Sequence, residues 1–447
     1  MGLKVQLPKS VKDILDKFNQ KGFEIYIVGG AVRDILMGRL TNDWDFTTNA
    51  TPDKILEVVP GGLYNNEFGT VFTPNPDEKD RPHEITTFRK EEGYQDFRHP
   101  DKITWGKSLE EDLSRRDFTI NALALDCNLK LIDLYKGEDD IKNKVIRAVR
   151  DPNERFSEDA LRMMRAIRIA AELGFTIEEK TLEAIKKNAT LINKIAKERV
   201  KEELFKLLKS PYPYEGMLIL RSSGLSQEIL PELEKCFGVE QKSPGRHHIY
   251  DVGEHLLMSL KNCKSVDPLT RFATLIHDIG KPQTYKKLDS GTITFYNHEM
   301  VSTKIAENIA ERLKFSNKEK EKLITLVRWH QFTVDERQTN SAIRRFIKNV
   351  GKQNLEDMLS LRVGDRLGGG ARETSWRLEE FKRRLLEVQK EPFSIRDLKI
   401  NGNDVMKTLK IKPGPKVGNI LEKLFEKVVA KEIPNEKEKL LKKLKTF

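Results

Sequence analysis

Tyr26-Ile-Val-Gly-Gly-Ala-Val-Arg-Asp-Ile-Leu-Met-Gly-Arg-Leu-Thr-Asn-Asp-Trp-Asp-Phe46 joins a short apolar run, a Gly-Gly turn opening a helix, and two aspartates one residue apart. A strand alternates its side chains between two faces, so a strand over Asp43–Thr47 would turn Asp43 and Asp45 to the same side. Carboxylate oxygens suit Mg²⁺, and a pair of such ions can clamp both the attacking and the leaving oxygen of a phosphoryl group. A helix that begins just after Gly29 and Gly30 offers backbone N–H groups to a triphosphate. Each signal alone is common. Together, in so short a stretch, they point to metal-assisted nucleotidyl transfer.

Outward from this stretch, residues 1–150 mix strand and helix signals. Glu24–Val28, Asp43–Thr47, Gly69–Thr73, His83–Thr87 and Leu131–Asp133 are short β-prone runs, and 31–38 and 52–59 read as helices. From about Asp151 strand signals nearly vanish and helical periodicity continues, broken at Pro211-Tyr-Pro213, Lys242-Ser-Pro-Gly245, Gly368-Gly-Gly370 and Lys412-Pro-Gly-Pro415. A chain of 447 residues is long enough for several buried cores. Its net charge of +11 favours a polyanionic partner, nucleic acid before membrane, since no segment reads as a lipid-facing anchor. Cys127, Cys236 and Cys263 are few and scattered, which argues against a disulfide framework or a cysteine zinc site. Met1–Phe18 reads as an amphipathic helix without a signal-peptide core, and no apolar run is long enough to span a bilayer; the expected location is cytoplasmic.

Further segments add to the first. Glu84, in the strand-like run His83-Glu-Ile-Thr-Thr-Phe-Arg89, is placed to be a third carboxylate that completes a metal cage or orients the attacking hydroxyl. In Leu113-Ser-Arg-Arg-Asp-Phe-Thr-Ile-Asn-Ala-Leu123, the adjacent Arg115 and Arg116 offer phosphate contacts and Asp117 a sugar-hydroxyl acceptor. Arg116, Asp117 and Asn121 would share a helical face there, with Phe118 and Ile120 turned into packing. In Ser157-Glu-Asp-Ala-Leu-Arg-Met-Met-Arg-Ala-Ile-Arg168, Ser157 is the expected N-cap. Ala160, Met163, Met164, Ile167, Ala170 and Ala171 form the core stripe of that helix. Asp159, Arg162 and Arg165 follow at i, i+3 and i+6 on a neighbouring face. An aspartate beside an arginine fork can hydrogen-bond a base edge and so replace a template strand; an intrahelical ion pair is the competing reading.

With these motifs in this order, the chain resembles the bacterial tRNA nucleotidyltransferases, the family of CCA-adding enzymes and poly(A) polymerases. The likeness runs from about Gly22 to Leu208 and resumes weakly at Asn401-Gly-Asn-Asp-Val-Met406 and Lys412-Pro-Gly-Pro-Lys-Val-Gly418. It implies that Asp43 and Asp45 carry the catalytic Mg²⁺ ions, with Glu84 beside them, and that Gly29, Gly30 and Arg33 hold the triphosphate. Arg116, Asp117 and Asn121 would contact the nucleotide, and Asp159 and Arg162, with Arg165 near, would select C or A. Glu158 would brace the turn, and Glu198-Arg-Val-Lys-Glu-Glu203 resembles the motif supporting that pocket. Arg89-Lys-Glu-Glu-Gly-Tyr-Gln-Asp-Phe-Arg-His-Pro-Asp-Lys-Ile-Thr-Trp105 looks like the loop kept by enzymes that add the final A.

His255, the doublet His277-Asp278, His298, His330 and Asp365 form a separate array. With Leu275-Ile-His-Asp-Ile-Gly-Lys-Pro282 at its centre, it resembles the HD superfamily of metal-dependent phosphohydrolases. Imidazoles with carboxylates suit a divalent transition metal.

The resemblance implies an α+β protein: a polymerase-beta-like nucleotidyltransferase head with a mixed sheet, then an all-helical neck, body and tail. The expected division is 1–150 head, 151–210 base-selecting neck, 211–245 connector, 246–370 HD-like domain and 371–447 tRNA-binding tail. The expected reaction is template-independent addition of C and A to the tRNA 3′ end from CTP and ATP, with the acceptor arm as partner. The alternatives are A-only addition, poly(A) synthesis, an HD-type phosphohydrolase with an RNA-binding head, and a noncatalytic RNA-binding protein.

Overall fold

A computed structural model describes residues 6–64, 69–76, 82–92, 102–106, 108–241, 249–332, 335, 337–390, 395–430 and 432–446. The chain divides into two compact units. One comprises 1–239, 266–272 and 307–317, the other 240–265, 273–306 and 318–447.

The first unit opens with α1 (Lys9–Gln20), whose Val11, Ile14, Leu15 and Phe18 recur at helical spacing and are all buried. The sheet strands are β1 (Ile25–Val28), β2 (Asp45–Thr48), β3 (Thr70–Thr73) and β4 (His83–Thr87), and after the β5 (Arg89–Glu92) and β6 (Lys102–Trp105) ribbon come β7 (Leu123–Leu125) and β8 (Leu131–Asp133). Their order is β3-β4-β2-β1-β7-β8, antiparallel except for the parallel pair β2–β4, so the sheet is mixed as the sequence implies. Ile27, Val28, Phe46, Val71 and Ile85 are buried; β-branched and aromatic residues fit a half-covered pleat, which explains why these short runs are strands. Sequence patterning gave no sign of β7, because all three of its residues are buried and apolar and show no alternation. The stretch 93–101, most of the expected final-A loop, lies outside the described residues.

Helices α2 (Gly30–Leu36), α3 (Pro52–Val58), α4 (Leu109–Ser114) and α5 (Gly137–Asn143) accompany the sheet, and α6 (Pro152–Glu158), α7 (Leu161–Leu173), α8 (Glu179–Asn188) and α9 (Lys197–Lys209) follow. Two local expectations change. Asp43 lies outside β2, which begins at Asp45, so strand alternation does not place the two aspartates; Thr41 Oγ1 lies 3.4 Å from both Asp43 N and Asp43 O in the segment before the strand. Ser157 is not an N-cap but sits inside α6, its hydroxyl donating to Glu154 O at 2.8 Å, and the chain turns at Asp159 and Ala160 before α7. The core stripe of α7 is buried as expected, with Met163, Met164 and Ile167 at 0% exposure.

The second unit is mostly helical, with a small hairpin at Lys286–Lys287 and Ile293–Thr294 that helical periodicity did not announce. Asp251 and Glu254 form a capping box at the start of Val252–Lys261. Gly364 and Gly368 let helix Leu355–Gly368 press against that helix: a Cβ on Gly364 would stand 2.7 Å from Ser259 O, and one on Gly368 would stand 2.6 Å from Ser259 N. Gly280 has the same use, since a Cβ there would meet His298 O at 2.7 Å. Near the C-terminus, Val405, Leu424, Leu440 and Leu444 close a separate small core beneath helices 402–409, 415–429 and 437–444. Among the described residues no helix is long and apolar enough to cross a membrane.

Candidate functional site

The Gly-Gly turn lies between β1 and α2. Gly29 has φ +73° and ψ −137°, a combination open essentially to glycine that costs a side-chain-bearing residue on the order of 1–3 kcal/mol. A Cβ at Gly29 would also stand 3.1 Å from Arg116 Nη1 and 3.6 Å from Asp45 Oδ2. This one position therefore shows that the turn, one metal-type carboxylate and a cationic side chain share a wall. Arg33, one turn into α2, places Nη2 3.6 Å from the equivalent point on Gly30.

The acids meet through the sheet. Asp45 and Glu84 are register partners on the parallel strands β2 and β4, and Glu84 N donates to Trp44 O. Burial first, then the charges of Glu84 and Asp43, push the Asp45 carboxyl up to about 7 against the opposing pull of Arg116. Glu84, on the exposed side of β4, is raised as well, by partial desolvation and then by Asp43. Three carboxylates crowd negative charge that the surrounding cations do not offset, and hard oxygen donors of this kind fit a divalent cation.

Arg116 leads from this wall into a cleft of about 410 Å³ lined by Arg115, Asp117, Asp159, Arg162, Arg165 and Arg199, among others. The expected helix over 113–121 is instead α4 ending at Ser114, an irregular step, and a 3₁₀ turn at Thr119–Asn121. Phe118 and Ile120 are buried as expected. Asp112, fully buried, accepts from Arg115 at 2.6 and 3.0 Å and from Arg116 at 3.2 Å. Burial opposes its ionisation, yet Arg115, Arg116 and Arg89 hold it below the usual carboxylate range.

Asp117 Oδ1 accepts from Phe118 N at 2.8 Å and Asn121 Nδ2 at 3.1 Å, while Oδ2 takes Arg165 Nε and Nη2 at 2.8 and 2.6 Å. Burial works against the charge, but Arg165 outweighs it and draws the carboxyl down to about 2. A carboxylate has about four acceptor positions. All four are occupied, so Asp117 orients Arg165 instead of standing open to a sugar hydroxyl. Asn121 is 8% exposed, and its carbonyl oxygen accepts from Arg33 Nη1 at 2.9 Å.

Arg162 is held by three acceptors: Glu158 Oε2 at 2.6 Å, Arg155 O at 3.1 Å and Arg115 O at 3.1 Å. Glu158 also pairs with Arg155. Asp159 Oδ1 takes Leu161 N at 3.0 Å and Oδ2 takes Arg199 Nη2 at 3.2 Å. Arg199 has no signal of its own in the sequence. Arg199 stands within the quoted motif of α9, and only the fold carries α9 across to Asp159.

In the second unit the six His and Asp side chains converge. Asp278 Oδ2 lies 3.4 Å from His255 Nε2 and 3.3 Å from His277 Nε2, and Asp365 Oδ1 lies 3.3 and 3.5 Å from the same atoms. Asp278 Oδ1 lies 3.0 Å from His298 Nε2 and 3.3 Å from His330 Nε2. The ligand atoms form two groups sharing Asp278, each within 4.8 Å. Nδ1 of His277, His298 and His330 lies 2.7–2.8 Å from Thr274, Phe295 and Val327 carbonyls. A carbonyl only accepts, so each Nδ1 carries a proton and each Nε2 faces the Asp278 carboxylate, the ring orientation that metal-binding histidines adopt. The adjoining cavity of about 460 Å³ is lined also by Lys281, Tyr296 and Arg362.

Known proteins place these features in a family. The poly A polymerase head domain matches residues 25–147, the probable RNA and SrmB-binding site of polymerase A matches 174–237, and tRNA nucleotidyltransferase domain 2 matches 292–444. The chain is similar to the CCA-adding enzyme of Ligilactobacillus salivarius, 34% identical over 440 residues that cover 98% of this chain and 96% of that one. The CCA-adding enzyme of Lactobacillus helveticus is 46% identical over 217 residues, 48% of this chain and 54% of that protein. Among solved structures, the Bacillus stearothermophilus CCA-adding enzyme in complex with CTP superposes with a TM-score of 0.73 at 28% identity, covering 99% of this chain and 98% of that one.

Proposed function

We propose the chemistry of this protein from one premise: the chain belongs to the CCA-adding enzymes, nucleotidyltransferases that depend on a divalent metal. It adds C and A to the 3′ end of tRNA from CTP and ATP. The 3′-hydroxyl of tRNA attacks the nucleotide α-phosphate, and pyrophosphate leaves. The Gly29–Gly30 turn and Arg33 hold the triphosphate, Arg116 spans from it to the sugar, and Asp159 and Arg162 read the base edge. Asp117 fixes Arg165 at the rim of the same cleft. Mg²⁺ bound by Asp43 and Asp45, with Glu84 alongside, would supply charge neutralisation at the reacting phosphate. The five-part division, with head 1–150 and base-selecting neck 151–210, is kept as part of this reading, as is a cytoplasmic location.

One observation carries the residue assignments: Arg116 lines the base cleft and also stands beside Gly29 and Asp45. Arg116 thus supports a reading in which the metal acids, the triphosphate seat and the base reader serve one nucleotide. The test uses tRNA ending before the first C, after the second C, and mature, each given single labelled nucleotides. Wild type should extend the first with CTP and the second with ATP. Arg162→Ala should accept UTP and GTP as well; an unchanged nucleotide preference moves base reading elsewhere.

A second reading rests on Asp278, whose two oxygens each serve a different imidazole pair. His255, His277, His298, His330, Asp278 and Asp365 would hold divalent transition metals for phosphate-ester hydrolysis, separate from nucleotide addition.

A further inference from the structure

We propose that Asn121 is a positioning residue that couples the triphosphate grip to the base-reading cleft, so that nucleotide choice is expressed in turnover. The inference rests on the nucleotidyl-transfer reading of Gly29, Arg33 and the Asp159–Arg162 cleft. Four side chains form one continuous line. Arg33 Nη1 donates to Asn121 Oδ1 at 2.9 Å, Asn121 Nδ2 donates to Asp117 Oδ1 at 3.1 Å, and Asp117 Oδ2 accepts the Arg165 fork at 2.6 and 2.8 Å. One end leans over Gly30 and the other lines the cleft.

The carboxamide is the one group suited to the middle position. Its neighbours are a cationic donor on one side and a carboxylate acceptor on the other, so it must present an oxygen to the first and an N–H to the second. A carboxylate there would face Asp117 with like charge, and a hydroxyl would not reach both. The 3₁₀ turn Thr119–Asn121 that carries it is held firmly. Thr119 Oγ1 donates to buried Asp140 Oδ2 at 2.7 Å, and Thr119 N donates to Arg147 O at 2.9 Å. Two residues on, Leu123 O accepts from Gly29 N at 3.4 Å, so the same segment also touches the Gly-Gly turn. Arg33 keeps a second anchor, Asp34 Oδ1 at 2.9–3.0 Å, which lets it pivot about Asp34 if the Asn121 contact is lost. A base that displaces Arg165 would therefore shift Asp117, Asn121 and Arg33 in turn and misalign the α-phosphate. Misplacement of about an ångström costs on the order of a hundredfold in rate.

Two variants separate the halves of the link. Asn121→Asp is isosteric and keeps an acceptor for Arg33 but loses the donor to Asp117; Asn121→Ala loses both. With tRNA ending after the second C, N121D should keep the KM for ATP within about twofold while its kcat preference for ATP over GTP falls about tenfold. N121A should lose about tenfold or more in kcat with ATP as well. A readout with Asn121 intact guards against misfolding. Arg33→Lys and Arg165→Lys, combined, should depart from additivity by about threefold or more in the ATP/GTP ratio. Wild-type discrimination by folded N121D, or additivity of the two arginine changes, overturns the coupling. Total loss of incorporation in folded N121D with tRNA still bound also overturns it, and would make Asn121 essential to nucleotide addition itself.

Discussion

Replacing Asp117 by Asn keeps the shape and removes the charge that Arg165 pairs with, and its consequence can be worked out from the structure. Asp117 titrates ordinarily near 3.8 and is drawn down to about 2 in the fold, chiefly by Arg165 working against burial. Linkage converts that difference to about 2 kcal/mol of stability at neutral pH. Removing one partner of a fully dry pair costs ~3–5 kcal/mol. Arg165, however, keeps 37% of its side chain exposed, so water takes up part of its lost partner and the lower figure is expected. Because the folded pKa is depressed, the stabilisation is fully present above the unfolded value and disappears as pH falls through about 2. Urea unfolding of wild type and D117N, followed by circular dichroism, should give a gap of about 2 kcal/mol near pH 7. The gap should fall to about half near pH 3 and close below about pH 2. A gap that stays constant with pH, or D117N as stable as wild type at neutral pH, would refute the pairing argument.

The remaining expectations concern the two sites. Gly29→Ala must carry a backbone open essentially to glycine and push Arg116 aside, so KM for both nucleotides should rise at least tenfold; unchanged kinetics would show that the turn does not seat the triphosphate. Asp43→Ala and Asp45→Ala should each abolish incorporation while tRNA binding by filter retention is preserved, and retained incorporation would remove the metal assignment. His277→Ala with Asp278→Asn should lower transition-metal content, measured by elemental analysis, without slowing nucleotide addition. Collapse of addition in that folded variant would show that the activities are not separable. Gly364→Leu should do the same at a distance, because no side chain fits against Ser259, and normal metal content would argue that helix approach does not set the site.

Much of this protein is written in short-range pattern. The strands β1 to β4, α2 and α3, the buried stripe of α7 and the burial of Phe118 and Ile120 follow from periodicity and apolar spacing, since each depends on residues a few positions apart. The Gly-Gly turn, the acid pair and the His-Asp array were likewise legible, because their chemistry resides in residue type. What spacing could not give was direction. Strand alternation predicts one face for Asp43 and Asp45, yet Asp43 precedes the strand, and its influence on Asp45 comes through space with Glu84 from the parallel neighbour. Asp117 and Asn121 read as nucleotide contacts, and only the fold joins them to Arg165 and Arg33 across 48 and 88 residues of chain. Arg199 reaches Asp159 only because α9 packs on α7, and Asp365 reaches His255 only because two glycines let helices touch. Sequence fixes which charges exist and how each short segment folds. Tertiary packing decides which charges face one another, because side-chain hydrogen bonds act over about 3 Å and segments far apart in the chain come that close only in the folded core.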